Sequence, residues 1–299
     1  MKTYFQKRRT ALSVMASISL IVISAITIFA CSNEEETATK EESKFIKVDD
    51  MAFVGELHNA VMSGVLREDS IRHFINLSEG RENAIENLRK LTEEQLKKFS
   101  GESHELKKYK HIFEPEKVCK SLFQATRTRG RHDLVLKEIE NLSKKETLDL
   151  EDFPNIYDIV DAFNEEGIIS DKGYRFYIDI LTLTEDGLNE RINYDEMSAQ
   201  IQHLKRAFND GNFSIESIDG GALASTLSVA ESSLEWWEEN HDSIPIQNLP
   251  PWVAADITGG AIGLVFYCFE NWNERVVLKK LGLKVADGAV SFSIGKKFF

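Results

Sequence analysis

From Asp50 to Leu66, apolar side chains recur three and four residues apart: Val54, His58, Val61 and Val65 share one stripe, with Phe53 and Leu57 beside it. That spacing predicts an amphipathic helix. A short second helix is expected over Ser70–Leu77, capped by Asp69 and Ser70, and a third after Ser78 carrying Ala84, Ile85, Leu88 and Leu91. Thr92-Glu-Glu-Gln95 has the form of a capping box, so the chain is expected to bend there and start a new helix with Leu96 and Phe99. Pro115 suits the first turn of the next, which buries Val118, Leu122 and Ala125. After an arginine-rich interruption, Val135, Ile139 and Leu142 open another.

The second half keeps the same period. Ile156, Val160 and Phe163 predict a helix ending at Gly167, a natural C-cap. Helices follow over Ser170–Leu183 and Asn193–Phe208, and a long one after Gly220-Gly221 runs through Leu223, Leu227, Ala230, Leu234 and Trp237. Pro245, Pro250 and Pro251 mark a linker, and Trp252–Trp272 beyond it is the most apolar stretch after the N-terminal run. Within it Ala255, Gly259 and Gly263 form a small-residue row that lets two helix backbones approach closely. Thirteen residues, Ile257 to Phe269, separate the charges of Asp256 and Glu270, a length that favours a buried core helix over a membrane-active one. The tail "GAVSFSIG" reads as one short strand or an extended cover. The expected fold is therefore all-α, a helical bundle with at most a short strand near the C-terminus.

The N-terminus follows different rules. Lys2, Lys7, Arg8 and Arg9 precede twenty uncharged residues, Ala11 to Ala30, the basic and apolar regions of a secretory signal. Ile28-Phe29-Ala30-Cys31 resembles a bacterial lipobox, in which the cysteine becomes the lipidated N-terminus; Phe29 departs from the small residue usual there. Lipidation at Cys31 is preferred to an uncleaved membrane-spanning helix, and acyl chains on that residue supply the membrane signals that stable anchoring needs. Ser32 to Ser43 is polar, acidic and free of aromatics, the composition of a flexible tether. The expected organisation is a signal peptide over 1–30, a tether over 31–50, a helical domain over 51–245, and an apolar glycine-row helix with its tail, packed on that domain, over 246–299.

Charge then narrows the partners. Cleavage before Cys31 removes four of 36 basic residues and none of 49 acidic ones, leaving a formal charge of −17. A surface that neutralises phosphates is not expected, so nucleic acid is a poor partner. Cys119 and Cys268 would remain besides Cys31, each in an apolar helical setting; free thiols are preferred to a disulfide between them.

Candidate chemistry is sparse. "VGELHN", Val54 to Asn59, sets Glu56 and His58 two residues apart, on opposite faces of a helix, so the pair cannot share a metal; His58 is read as a hydrogen-bonded core histidine, with Gly55 and Asn59 structural. The other histidines, 73, 104, 111, 132, 203 and 241, show no ligand spacing, and no HExxH, CxxC, GxSxG, phosphate loop or dinucleotide fingerprint occurs. Calcium loops built on Gly167, Gly187 or Gly211 lack acids at their first and last positions. No metal or other cofactor is expected. In "EWWEEN", Trp237 continues the core stripe and Trp236 is the one ring that could be exposed to contact a ligand, though a ligand platform is the less favoured reading. Arg127, Arg129 and Arg131 form a basic island suited to an acidic partner or a lipid phosphate, though such a loop more often pairs with neighbouring carboxylates. Asp69 to Ile71 and Asp242 to Ile244 resemble the Asp-Ser-Ile form of a Bacteroidota O-glycosylation sequon.

"FVGELHNAVM", "FNEEGIISDKGYRFYIDIL", "SVAESSLEWW" and "WVAADITGGAIG" stand in the order found in a loose group of Bacteroidota lipoprotein-like proteins. In that group an early Gly-x-x-His-Asn segment precedes helices and a glycine- and alanine-rich C-terminus. The resemblance implies a source and an architecture, and no activity. The reading that results is a lipid-anchored protein of the cell outer membrane, its surface face slightly favoured, acting as a binding module for a protein or glycan. The alternatives are an enzyme using a carboxylate pair on envelope polymers and a membrane-active C-terminal helix.

Overall fold

The structure is a computed structural model that describes residues 44–67, 80–104, 106, 113, 122–123, 127, 132–143, 154–240, 248–271 and 276–298. Phe45 to Phe299 form one compact unit. Its described residues are almost wholly helical: α1 (Ala52–Arg67), α2 (Arg81–Ser100), α3 (His132–Ser143), α4 (Ile156–Glu165), α5 (Asp171–Leu188), α6 (Tyr194–Asp210), α7 (Ile218–Glu239), α8 (Pro250–Asn271) and α9 (Leu278–Phe298). The two short strands described, β1 (Phe45–Ile46) and β2 (Phe213–Ser214), pair antiparallel with Phe45 opposite Ser214. A 3-10 turn over Val48–Met51 joins β1 to α1.

Local signals start and stop several helices. The Asn155 side chain accepts from Tyr157 N at α4, Ser170 from Gly173 N at α5, and Ser217 from Gly220 N at α7. At α6, Asn193 and Glu196 accept from each other's backbone N–H, a full capping box. Gly167 takes a φ of 68°, and Ile168 N bonds to Phe163 O while Gly167 N bonds to Asn164 O. That is the Schellman ending of α4, and the left-handed backbone suits glycine.

Helices α8 and α9 form the central hairpin. Position 259 meets 288 and position 263 meets 284, so the two run antiparallel. A Cβ added at Gly259 would collide with the Gly288 carbonyl, and one at Gly263 with the Lys284 carbonyl. The small-residue row is thus the surface on which two helix backbones touch. Around this hairpin α7 packs on α8 and α9, α1 on α7 and α9, α5 on α8, and α2 on α1 and α9. Gly55 does at the α1–α7 crossing what Gly259 does in the hairpin: a side chain there would strike Ser228 and Ser232. Among the described residues no helix is long and apolar enough to cross a membrane.

Two expectations fail locally. No bend occurs at Thr92: α2 is continuous from Arg81 to Ser100, and the Thr92 hydroxyl donates to Leu88 O at 2.7 Å instead of capping a new start. Leu88, Thr92, Gln95 and Leu96 are all buried, so one unbroken face packs inward. The tail is also helical and not extended. Its alternation of Val290, Ser291, Phe292, Ser293 and Ile294 imitates a strand, but all five are buried because α9 is enclosed on every side. The Ser293 hydroxyl returns to Ala289 O at 2.8 Å, a bond that hides a serine inside a helix. The helix expected over Ser70–Leu77 and both Asp-Ser-Ile triplets lie outside the described residues, as do Cys31 and Cys119.

Candidate functional site

Each helix of the central hairpin carries one buried aspartate, and each aspartate meets a histidine from outside the hairpin. The first pair lies at the centre. His58 on α1 and Asp256 on α8 are both 0 % exposed, with Nε2 3.4 Å from Oδ2. Asp256 Oδ2 also accepts from the Ser233 hydroxyl and, at 2.9 Å, from Trp237 Nε1, both on α7. Asp256 Oδ1 has no partner among the described residues.

The hydrogen-bond inventory fixes the state of His58. Asn59 Nδ2 donates to Ser232 O, which turns Asn59 Oδ1 towards His58 Nδ1 at 2.9 Å and makes that nitrogen a donor. Ser293 spends its only proton on Ala289 O and so offers lone pairs to His58 Nε2 at 3.3 Å. Both ring nitrogens then donate, which only an imidazolium does. The electrostatics agree: burial pulls the imidazole down, but the Asp256 charge and hydrogen bond, with the Asn59 bond, carry it above its ordinary value. An ion pair of this kind fixes how α1, α7, α8 and α9 sit together, while its desolvation limits what it adds to stability.

The second pair lies at the far end of α2. His104 Nδ1 is 2.6 Å from Asp287 Oδ1 on α9, and His104 Nε2 is 2.7 Å from Ser100 Oγ. The His104 and Asp287 side chains are both buried, at 2 % and 5 % exposed, whereas Ser100 is only half-buried. Gly101 ends α2 with a φ of 73°, and this left-handed turn brings His104 back under Ser100. Glu102 N donates to Ser100 Oγ at 3.0 Å, and Lys279 Nζ holds the Glu102 carboxylate at 2.6 Å, tying the turn to the start of α9. That lysine bond lowers the Glu102 carboxyl below its usual range.

The residues singled out in the sequence lie elsewhere. Gly55, Asn59, Gly259 and Gly263 are packing or hydrogen-bonding positions, and Trp237 is fully buried. Trp236 corrects an expectation: it is 5 % exposed, its Nε1 donates to Ser63 Oγ at 2.9 Å, and no ring face is left for a sugar. Helix α7 is covered on nearly all sides, so its outer stripe is inner as well. Arg127 bonds Asp161 at 2.7 Å and Asp158 at 3.4 Å and stands 5.2 Å over the Tyr157 ring, the carboxylate pairing common for such a loop. Burial and the Glu185 carboxylate push the Tyr157 hydroxyl up to about 12. Arg129 and Arg131 lie outside the described residues. Cys268 is a buried free thiol, pushed up to about 12 by burial.

An open cleft of about 750 Å³ lies between the starts of α5 and α7, lined by Ser170, Glu216, Ser217 and Asp219 among others. Asp219 already takes Ser170 N and Oγ at 3.1 and 2.6 Å, so the helix ends are answered from within the protein. Among the described residues, no three His, Cys, Asp or Glu side chains are grouped to hold a metal ion. No family model, no curated protein and no solved structure matches the chain.

Ser100, His104, Asp256 and Asp287 were not marked as site residues by sequence reasoning. The available signals were a serine four residues before a histidine across a helix-ending glycine, and an acid set among small residues at Asp256. The partners themselves are remote, His104 and Asp287 being 183 residues apart.

Proposed function

We propose that the chain is a lipid-anchored module of the bacterial outer membrane, attached through Cys31, whose helical domain binds a protein partner. The observation that carries the reading is the N-terminal sequence: four basic residues, an uncharged run from Ala11 to Ala30, Cys31, and the acidic stretch Ser32 to Ser43. Such a segment delivers and tethers a domain. The strongly acidic balance of the chain suits a soluble body at a membrane surface and disfavours nucleic acid.

The domain offers apolar contact close to where the tether joins it. Phe45, the first residue of the compact unit, is 42 % exposed, and Ile215, next to its β partner Ser214, is 39 % exposed. Both are large apolar side chains with more than a third of their surface exposed, the kind of contact a protein partner can cover.

The test is cross-linking of the tagged, full-length protein in intact cells, followed by identification of what co-purifies. One stoichiometric protein partner is expected, reduced in a Phe45→Ser, Ile215→Ser variant that keeps its membrane attachment. Recovery of the protein with no reproducible partner would overturn the binding role.

A further inference from the structure

We propose that Ser100, His104 and Asp287 are a nucleophile, a general base and a positioning carboxylate, and that this cluster cleaves short-chain carboxylic esters. The inference is independent of the membrane anchor.

Three observations carry it. The first is order: the hydroxyl meets one ring nitrogen at 2.7 Å and the carboxylate meets the other at 2.6 Å, so the imidazole lies between them. The second is the tautomer. A neutral His104 that donates Nδ1–H to the Asp287 carboxylate turns its Nε2 lone pair to the Ser100 hydroxyl 2.7 Å away. Glu102 N occupies one of the two acceptor sites of Ser100 Oγ, a bond compatible with a hydroxyl hydrogen directed at His104. This is the arrangement by which a serine is activated through an adjacent base that a third group orients. The third is burial: the carboxylate and imidazole are shielded while Ser100 is a partly exposed residue. In the central cluster, by contrast, Asp256 and Ser293 both crowd the Nε2 side of a charged His58, and no atom is activated.

The helix end adds a bias. Ser100 is the last residue of α2, where the carbonyl end of the helix dipole favours a cation. His104 becomes a cation when it takes the serine proton. The same field opposes a developing oxyanion, so a good leaving group is required, which selects esters over amides.

In the reaction, Ser100 Oγ bonds to the ester carbonyl carbon as its proton passes to His104 Nε2. The carbon–alkoxy bond then breaks, and His104 returns that proton to the departing alcohol. Water gives a proton to His104 as its oxygen bonds to the acyl carbon. The bond to Ser100 Oγ breaks, the carboxylic acid leaves, and Ser100 recovers the proton from His104.

The full-length protein would be treated with a fluorophosphonate probe and mapped by mass spectrometry, with p-nitrophenyl acetate hydrolysis followed in parallel. The expected result is an adduct on Ser100 and an esterase rate that falls at least about tenfold in Ser100→Ala. Asp287→Asn is expected to slow labelling and to shift its pH profile, a readout that a purely structural contact would not move. Should that variant fail to fold, mapping of the native protein and Ser100→Ala still decide. A folded native protein with no adduct on Ser100, or a Ser100→Ala protein with undiminished ester hydrolysis, would overturn the proposal.

Discussion

His58 Nε2 lies 3.4 Å from Asp256 Oδ2, and neither side chain reaches solvent. The contact joins α1 to the central hairpin across almost two hundred residues of chain, and Ser233, Trp237 and Ser293 bring in α7 and α9. Removing one partner leaves a buried charge without its counter-ion. Asp256→Ala is therefore expected to destabilise the domain by about 3–5 kcal/mol in urea unfolding. Combining it with His58→Leu should cost less than the two single changes added together, because the second change removes the stranded cation. Additive losses would show that the two groups are not coupled.

The same pair sets a pH dependence. The His58 imidazole is raised in the folded state, so its contribution is fully present below the unfolded value of about 6.5 and is lost as pH rises through the folded value. The urea midpoint should fall as pH rises above about 6.5, and His58→Gln should flatten that part of the profile. A midpoint that rises over the same window would carry the opposite sign.

The hairpin separates two adjacent glycines by what they touch. At Gly259 a methyl would drive into the Gly288 backbone, whereas at Gly260 it would meet Val285 Cγ1 at 3.3 Å and Val285 O at 4.0 Å. Gly259→Ala is expected to cost about 1–3 kcal/mol through overpacking. Gly260→Ala should cost less than Gly259→Ala, because alanine's gain of up to about 1 kcal/mol in helix preference offsets the small shift asked of Val285. Thermal unfolding of the two variants side by side measures the difference.

Cys268 should be inert in the native protein. Burial raises its thiol to about 12, and thiolate is the reactive form. Site-resolved iodoacetamide labelling at neutral pH should find Cys268 unmodified until urea unfolds the domain. Rapid native labelling would show that the helix α8 face opens to solvent.

The parts of this fold that were legible in the chain are those decided locally. Ser170 and Asn193 sit at helix starts because a short polar side chain can accept from N–H groups two or three residues on, and Gly167 ends a helix because it tolerates a left-handed backbone. The period-3.6 pattern identified an all-α protein for the same reason. Amphipathic reasoning failed where a helix has no outer face. Trp236 on α7 looked external, and the tail of α9 looked like a strand, because both helices are enclosed and polar positions there face neighbours instead of water. The strands β1 and β2 are two residues each and leave no periodic trace. The paired histidines and aspartates depend on packing between distant helices, which no local spacing encodes.

The most direct test of the account is the mass of the mature N-terminus, measured on protein extracted from cell membranes. The account predicts a chain that begins at Cys31 and carries acyl chains on that residue. A membrane-bound chain that still begins at Met1, or one whose Cys31 is unmodified, would contradict it.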